Sequence, residues 1–120
     1  GEQQLVQLCR VFAQVWGRGS EAFLLLDEPM TALDLRYQSK IVSILKKFSS
    51  QGLGQLVVMH DINLAAELAD EIVLMSSGKV IAKGSAAEAL KVDNLERTFD
   101  TVINQLGGGR DRYFRAELEK

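Results

Sequence analysis

The sequence predicts an α/β fold with parallel strands, and the prediction depends on two observations. Two short apolar segments, Ala22–Leu26 and Leu56–Met59, show no alternation of polar and apolar residues, which is typical of strands buried on both faces of a parallel sheet. Segments with the apolar spacing of helices precede, separate and follow these strands. The order helix, strand, helix, strand, helix is that of a parallel sheet covered by helices.

Composition and charge narrow the classes of function. The chain of 120 residues is 47% apolar and 25% charged, which is ordinary for one modest globular domain. Its net charge of −2 gives no electrostatic case for binding nucleic acid. The single cysteine, Cys9, cannot form an internal disulfide, which fits a reducing compartment, and we expect it to be a small buried apolar residue. The apolar runs are far shorter than the roughly 20 residues that span a bilayer.

The first predicted helix runs from Glu2 to about Trp16 and buries one stripe. Glu2 lies in the first turn, where a negative charge suits the helix dipole. The first strand, Phe23–Leu26, ends near Glu28 because Pro29 has no N–H group to donate to a sheet. The stripe holds the apolar residues that recur at helical spacing, namely Leu5, Leu8, Cys9, Phe12 and Trp16.

A second predicted helix runs from Asp34 to about Ser50, and glycines at 52 and 54 end it. The second strand, Leu56–Met59, follows. The next helix begins at either Asp61 or Asn63, since both residue types cap helices.

The remainder predicts a hairpin, a short helix and a weakly patterned end. Segments 71–75 and 79–83 flank Ser77-Gly78, which indicates two strands joined by a tight turn. Ser85, with Glu88 three residues later, forms the capping-box pattern of a short helix. Segment 95–99 is expected to be helical, and glycines 107–109 indicate a loop. We therefore expect a domain at 1–90 and a C-terminal extension of hairpin and helix at 91–120.

Charged side chains follow both predicted strands at the point where each strand ends. Asp27 and Glu28 end the first strand, and His60, the only histidine, lies just beyond the second. Because ligands of open α/β sheets sit outside the carboxyl ends of the strands, we expect these residues to share one edge. Asp34, at the start of the next helix, is expected nearby.

These residue types suit phosphoryl transfer to water. One carboxylate can hold Mg²⁺ through retained waters, and a second can orient and deprotonate the attacking water. A histidine can hydrogen-bond the γ-phosphate and report its presence. Each residue also has a plainer interpretation: Asp-Glu-Pro is a common strand-ending turn, and a lone histidine after a strand is often an exposed loop residue.

Four short segments occur in order along the chain. Gly1–Gln4 opens a helix, Leu24–Glu28 ends a strand, Ala32–Asp34 follows soon after, and His60 follows the next strand. In this order they resemble the tail of the signature motif, Walker B with the catalytic glutamate, the D-loop and the switch histidine of the nucleotide-binding subunit of ABC transporters. The similarity extends to about residue 90. It implies the C-terminal part of a P-loop NTPase core of the RecA-like type.

The resemblance implies a role for each residue at the strand ends. Asp27 would bind Mg²⁺ through water, and Glu28 would be the general base for ATP hydrolysis. His60 would contact the γ-phosphate. Asp34 would lie across a dimer interface and couple two ATP sites.

The resemblance also implies that the start of the first helix faces a nucleotide. Gly1, Glu2 and Gln3 would belong to the signature segment, which faces ATP bound to the opposite subunit. The role is physically reasonable, since free N–H groups and the helix dipole attract phosphate. Two positions depart from the family: Leu5 stands where arginine is usual, and Met30 where threonine or serine is common.

The phosphate-loop pattern G-x-x-x-x-G-K-[ST] occurs nowhere in the sequence. We therefore expect the chain to be the C-terminal half of a longer subunit and to be inactive alone, because nothing else cradles the β- and γ-phosphates. A chain that opens on Gly1, inside a motif, supports this expectation. A non-catalytic interaction fragment is the alternative.

The residues around the motifs resemble one group of importers. Segments Gln7–Trp16, His60–Asp70 and Ile72–Leu90 are most similar to ATPases of bacterial haemin importers, and Leu95–Leu106 loosely resembles their tail. Ferric-siderophore and cobalamin importers are the alternatives, with soluble ABC ATPases acting on ribosomes or in DNA repair as a further class. The resemblance implies transmembrane permease subunits and a second ATPase copy as partners, a periplasmic binding protein indirectly, no nucleic acid, and the cytoplasmic face of the bacterial inner membrane.

Overall fold

A computed structural model describes residues 1–119, and these form two compact units. The first unit is Gly1–His60, and the second begins at Asp61 and takes in the rest of the described chain. Within the described residues, no helix is both long enough and apolar enough to cross a membrane.

The first unit contains two helices and a parallel pair of strands. Helix α1 (Glu2–Val15) is followed by strand β1 (Phe23–Asp27), helix α2 (Leu35–Ser50) and strand β2 (Gly54–Val58). Strand β1 pairs with β2 in parallel, in a register that places Asp27 opposite Val58. The predicted parallel strands flanked by helices are confirmed, and the predicted bounds hold to within a few residues.

The core of the first unit lies on one face of the strand pair. Phe12 and Phe48 meet edge to face, with ring centroids 5.5 Å apart, and this contact joins α1 to α2. The amide of Gln55 donates to the carbonyl oxygen of Leu45 at 3.0 Å, which ties β2 to α2. The buried apolar residues of α1, β1, α2 and the loops of this unit are Leu8, Phe12, Leu24, Leu26, Met30, Leu33, Ile41, Leu45, Phe48 and Leu53.

The other face of the strand pair is exposed. Phe23 and Leu25 on β1 are 62% and 68% exposed, and Leu56 and Val58 on β2 are 57% and 51% exposed. The prediction that β1 is buried on both faces is therefore wrong for the described chain. An apolar sequence reflects both faces of a strand, but the described residues cover only one of them. We call these four residues the open apolar face.

One residue of the predicted helical stripe is also placed differently. Cys9 is exposed, whereas Leu8 and Phe12 are buried. A helix turns by about 100° per residue, so Cys9 points away from the direction in which Leu8 is buried. The expectation of a buried cysteine is wrong.

The second unit is built from two hairpins and three short helices. Strand β3 (Ile72–Ser76) pairs antiparallel with β4 (Lys79–Gly84), and Ser77 and Gly78 connect them with φ angles of 50° and 75°. Two successive positive φ angles match the twist of a tight hairpin. Strand β5 (Ile103–Leu106) pairs antiparallel with β6 (Tyr113–Ala116). The elements are α3 (Ile62–Leu68), β3 (Ile72–Ser76), β4 (Lys79–Gly84), α4 (Ala86–Ala89), α5 (Val92–Phe99), β5 (Ile103–Leu106) and β6 (Tyr113–Ala116).

Helix starts in this unit follow the predicted caps. The side chain of Asp61 accepts from the N–H of Leu64 at 3.0 Å, so α3 begins after Asp61 rather than after Asn63. Ser85 and Glu88 form a reciprocal capping box. Asn63 instead joins α3 to β6, donating to the carbonyl of Phe114 at 3.0 Å and accepting from its N–H at 2.8 Å.

One apolar core spans the predicted division at residue 90. Its members are Ile72, Leu74, Ala89, Leu90, Leu95, Ile103 and Phe114. The hairpin of β5 and β6 was predicted only as part of an extension of hairpin and helix, because its segments are short and poorly patterned. The division into a domain at 1–90 and an extension at 91–120 stays a prediction.

Candidate functional site

Asp27 and Glu28 lie at the carboxyl end of β1. Asp27 is the last residue of the strand, and its side chain is exposed. The N–H of Glu28 donates to the carbonyl of Val58 at 2.8 Å, so the ladder between the strands continues one residue past β1. Both carboxylates therefore start from a backbone held by the strand pairing, and the strand ends next to Pro29, as predicted.

The backbone of Glu28 has an unusual conformation. Its φ angle is +50°, in the left-handed region that non-glycine residues rarely occupy, and Ala32 has a φ of +66°. Such residues cost of order 1–3 kcal/mol each and persist only where surrounding contacts hold them. Pro29, which is buried, follows directly and turns the chain away from the sheet. The segment 28–34, which we call the strand-end loop, is thus a constrained turn.

His60 lies against the side chain of Glu28. Its Nε2 atom is 3.0 Å from Glu28 Oε1, with the histidine side chain 88% exposed and the glutamate side chain 32% exposed. The Oε1 atom itself is buried, and within the described residues it accepts no hydrogen bond of acceptable angle. The contact is therefore a close approach in which the imidazole is poorly aligned for hydrogen bonding. Thr31 Oγ1 donates to the other carboxylate oxygen at 3.3 Å.

Asp34 lies at the end of the strand-end loop and caps α2. Its Oδ1 atom accepts from the N–H of Tyr37 at 3.0 Å, and the residue is exposed. A local capping role accounts for its side chain in this structure.

The start of α1 lies beside the same loop. A Cβ atom at Gly1 would stand 3.7 Å from the carbonyl oxygen of Ala32. Gly1 precedes the helix without any side-chain cap, and Glu2 and Gln3 are exposed. The structure therefore brings the start of α1 and the strand-end loop together.

Gln4 contacts the strand-end loop, and the sequence analysis did not predict this contact. Its side-chain amide donates to the carbonyl oxygens of Glu28 and Pro29 at 3.2 and 2.7 Å. The signal was available in the sequence, because Gln4 precedes Leu8 and Phe12 at intervals of four and so stands as a polar residue in the buried stripe. A polar side chain on a buried face usually has a specific partner.

The donor set at the strand end fits magnesium. Among residues 1–119 no group of three His, Cys, Asp or Glu side chains could hold a metal ion. Magnesium keeps several waters and takes one or two carboxylates together with phosphate oxygens, so a single exposed carboxylate is a sufficient protein contribution. Asp27 has an exposed carboxylate of this kind, whereas the Glu28 carboxylate is already in contact with His60 and Thr31.

Comparison with known proteins finds similar sequences among importer ATPases. The chain is 42% identical over 103 residues to the hemin import ATP-binding protein of Mesorhizobium japonicum, covering 83% of this chain and 39% of that protein. It is 43% identical over 111 residues to that of Rhizobium johnstonii, covering 88% and 42%. For the protein of Bartonella henselae the identity is 38% over 107 residues, covering 87% and 40%.

A solved structure has the same fold. It is a metal-chelate type ABC transporter in an inward-facing conformation, with a TM-score of 0.76, 25% identity, and coverage of 98% of this chain and 47% of that one. No family model matches the chain. The chain thus spans about two fifths of the length of the curated relatives that it matches.

Proposed function

Since this chain is related to the ATP-binding proteins of ABC importers, we propose that it forms the part of such an ATPase that activates water for ATP hydrolysis. The observation that carries the proposal is the contact between Glu28 Oε1 and His60 Nε2. It joins the ends of two parallel strands, where ligands of α/β sheets bind. A strand-ending turn alone gives no reason for this contact.

Glu28 is the general base in this proposal. Its Oε1 atom is buried against His60, but the side chain as a whole is 32% exposed, so the carboxylate stands at the surface from which a water would approach. A positioned base contributes roughly 10²–10⁴ in rate. The N–H bond to Val58 and the hydroxyl of Thr31 hold the carboxylate in place.

Asp27 and His60 act on the phosphate side of the reaction. Asp27 would hold Mg²⁺, which on binding neutralises charge on the phosphate oxygens. His60 has an exposed ring next to the base, from which it can donate to a γ-phosphate oxygen while still contacting Glu28. Positioning and electrostatics account for most of the catalysis in this class.

The other predicted site residues, at the start of α1 and at Asp34, form a contact between two copies of the ATPase in this proposal. Gly1, Glu2 and Gln3 would face ATP held by a second copy, and Asp34 would reach across the interface. Their support is the closeness of Gly1 to Ala32 in the strand-end loop. A single surface of this chain can therefore present both the start of α1 and the strand-end loop to a second copy.

Haemin is the proposed cargo of the transporter. The support is that the relatives reported above are called hemin import proteins. Transmembrane permease subunits would bind the ATPase at the cytoplasmic face of the inner membrane. Reconstitution with the permease tests the cargo: haemin-loaded binding protein should stimulate ATP hydrolysis, and stimulation only by siderophore- or cobalamin-loaded protein would contradict it.

The chain alone is proposed to be inactive, because its sequence has no phosphate loop. The test uses a joined protein, in which the part of the Mesorhizobium japonicum relative that precedes its match to this chain is fused before Gly1. We expect magnesium-dependent ATP hydrolysis by the joined protein and none by the 120-residue chain above a Glu28→Gln control. A joined protein that folds but does not hydrolyse ATP would favour a non-catalytic interaction fragment.

A further inference from the structure

Gln4 connects the first helix to the backbone of the proposed base. Its Nε2 atom donates to the carbonyl oxygen of Pro29 at 2.7 Å and to that of Glu28 at 3.2 Å. Gln4 is separated from Glu28 by 24 positions in the sequence and from Pro29 by 25, and both hydrogen bonds are partly buried. A single side-chain amide thus donates to two consecutive carbonyl oxygens of the strand-end loop.

These carbonyls have few other partners. The N–H of Thr31 reaches the Glu28 carbonyl only at 3.5 Å, which is too long for a strong bond. Glu28 has a φ of +50°, so its conformation opposes local preference and needs support from outside the loop. The bonds from Gln4 supply that support on the side of α1.

A second glutamine holds the other half of the loop. Gln38 on α2 donates to the carbonyl oxygen of Leu33 at 3.2 Å and more weakly to that of Met30 at 3.4 Å. The two amides therefore contact four carbonyls between residues 28 and 33. The shortest of these bonds is that of Gln4 to Pro29, next to the proposed base, so Gln4 has the more direct effect on Glu28.

We propose that Gln4 is a positioning residue, which holds Glu28 in its reactive orientation and links it mechanically to the start of α1. The inference rests on the proposed function, since it assigns Gln4 a part in the reaction of Glu28. Gln4 does not itself contact the reacting atoms. A misplacement of about 1 Å at a reacting group can cost on the order of 100-fold in rate.

The test compares two substitutions in the joined protein. Gln4→Met retains length and volume without a donor, and Gln4→Glu replaces the amide with a carboxylate that faces two carbonyl oxygens. We expect both to lower kcat by about tenfold or more while the KM for ATP changes less than twofold. Gln7→Met and Gln7→Glu on the exposed side of the same helix are matched controls and should retain the parent kcat. A loss confined to Gln4→Glu would indicate charge repulsion and overturn the inference.

A double-mutant cycle separates positioning from general destabilisation. If Gln4 acts through Glu28, then Gln4→Met should cause no further loss of the residual rate in a Glu28→Gln background. An equal loss in both backgrounds would overturn the inference. The folded fraction of each variant, measured by circular dichroism, corrects the rates.

The 120-residue chain gives an answer that does not depend on activity. Hydrogen exchange at the Glu28 amide, which is bonded to Val58, should become at least about tenfold faster in Gln4→Met and stay unchanged in Gln7→Met. Unchanged exchange in Gln4→Met would overturn the inference even if the joined protein is active. If the joined protein with Gln4 intact is inactive but exchange is faster in Gln4→Met, the result counts against the proposed function. It would still support the positioning of Glu28 by Gln4.

Discussion

His60 Nε2 lies 3.0 Å from Glu28 Oε1, although the two residues follow different strands and are separated by a helix. Parallel pairing of β1 with β2 brings the ends of both strands to one edge. The register places Asp27 opposite Val58, which leaves two residues, Met59 and His60, to reach back to Glu28. The contact between His60 and Glu28 thus follows from the register of the two strands and from the two-residue segment, Met59 and His60, that follows Val58.

Replacing His60 should affect the reaction far more than the fold. The side chain of His60 is 88% exposed, and contacts made by exposed side chains contribute little to stability. We expect His60→Ala to change the free energy of unfolding of the 120-residue chain by less than about 0.5 kcal/mol in urea titrations. In the joined protein the same change should lower kcat by about 100-fold or more. A large loss of stability with normal kcat would show a structural role instead.

Asp34 should stabilise α2 through its cap. Asp34→Ala removes the acceptor for the N–H of Tyr37 and should lower the free energy of unfolding by about 1 kcal/mol. Asp34→Asn keeps an acceptor and should retain the stability of the parent, which makes it a matched control. If the carboxylate also couples two ATP sites, Asp34→Asn should reduce the cooperativity of hydrolysis in the joined protein without lowering stability. Normal cooperativity in Asp34→Asn would contradict the interface role.

Neighbouring leucines on β1 should respond in opposite ways. Leu24 is 2% exposed, so Leu24→Ala should destabilise the chain by about 2–5 kcal/mol. Leu25 is 68% exposed on the open apolar face, so Leu25→Lys should leave stability nearly unchanged. The lysine should also reduce self-association and binding of a hydrophobic dye, because large exposed apolar patches promote both. Light scattering at matched concentration compares the self-association of Leu25→Lys with that of the unchanged chain. Destabilisation by Leu25→Lys would contradict the exposure of the open apolar face.

Asn63 should hold the C-terminal hairpin to α3. Asn63→Ala removes two hydrogen bonds to the backbone of Phe114 and should cost about 2 kcal/mol. Asn104→Ala, an exposed asparagine on β5, is the control and should cost little. Hydrogen exchange at the Phe114 amide measures the effect locally. Equal exchange in both variants would show that packing alone holds β6.

The sequence predicted the local elements of the site well, for reasons that are local. Pro29 ends β1 because it lacks an N–H group, and Asp34 and Asp61 begin helices because their side chains accept from nearby backbone groups. The parallel pairing also followed from two apolar segments separated by a helix. The strand end and the helix caps depend on residues close in the chain, whereas the pairing of β1 with β2 was predicted from the order of elements.

Other features depended on long-range packing. The sequence predicted burial of both faces of β1, yet Phe23 and Leu25 are exposed, since burial depends on which neighbours are present. It gave no role to Gln4, whose partners lie 24 and 25 residues away. The pairing of β5 with β6 is likewise a contact between two short segments without strong patterns.

By itself, the sequence predicted which candidate site residues would lie together, because Asp27, Glu28 and His60 stand where strands must end. Only the tertiary structure decided how those residues are held. The left-handed backbone of Glu28 and the bonds from Gln4 arise when α1 packs beside the strand-end loop. No local rule specifies a hydrogen bond across 24 residues, since its geometry is set by the packing of whole helices and strands.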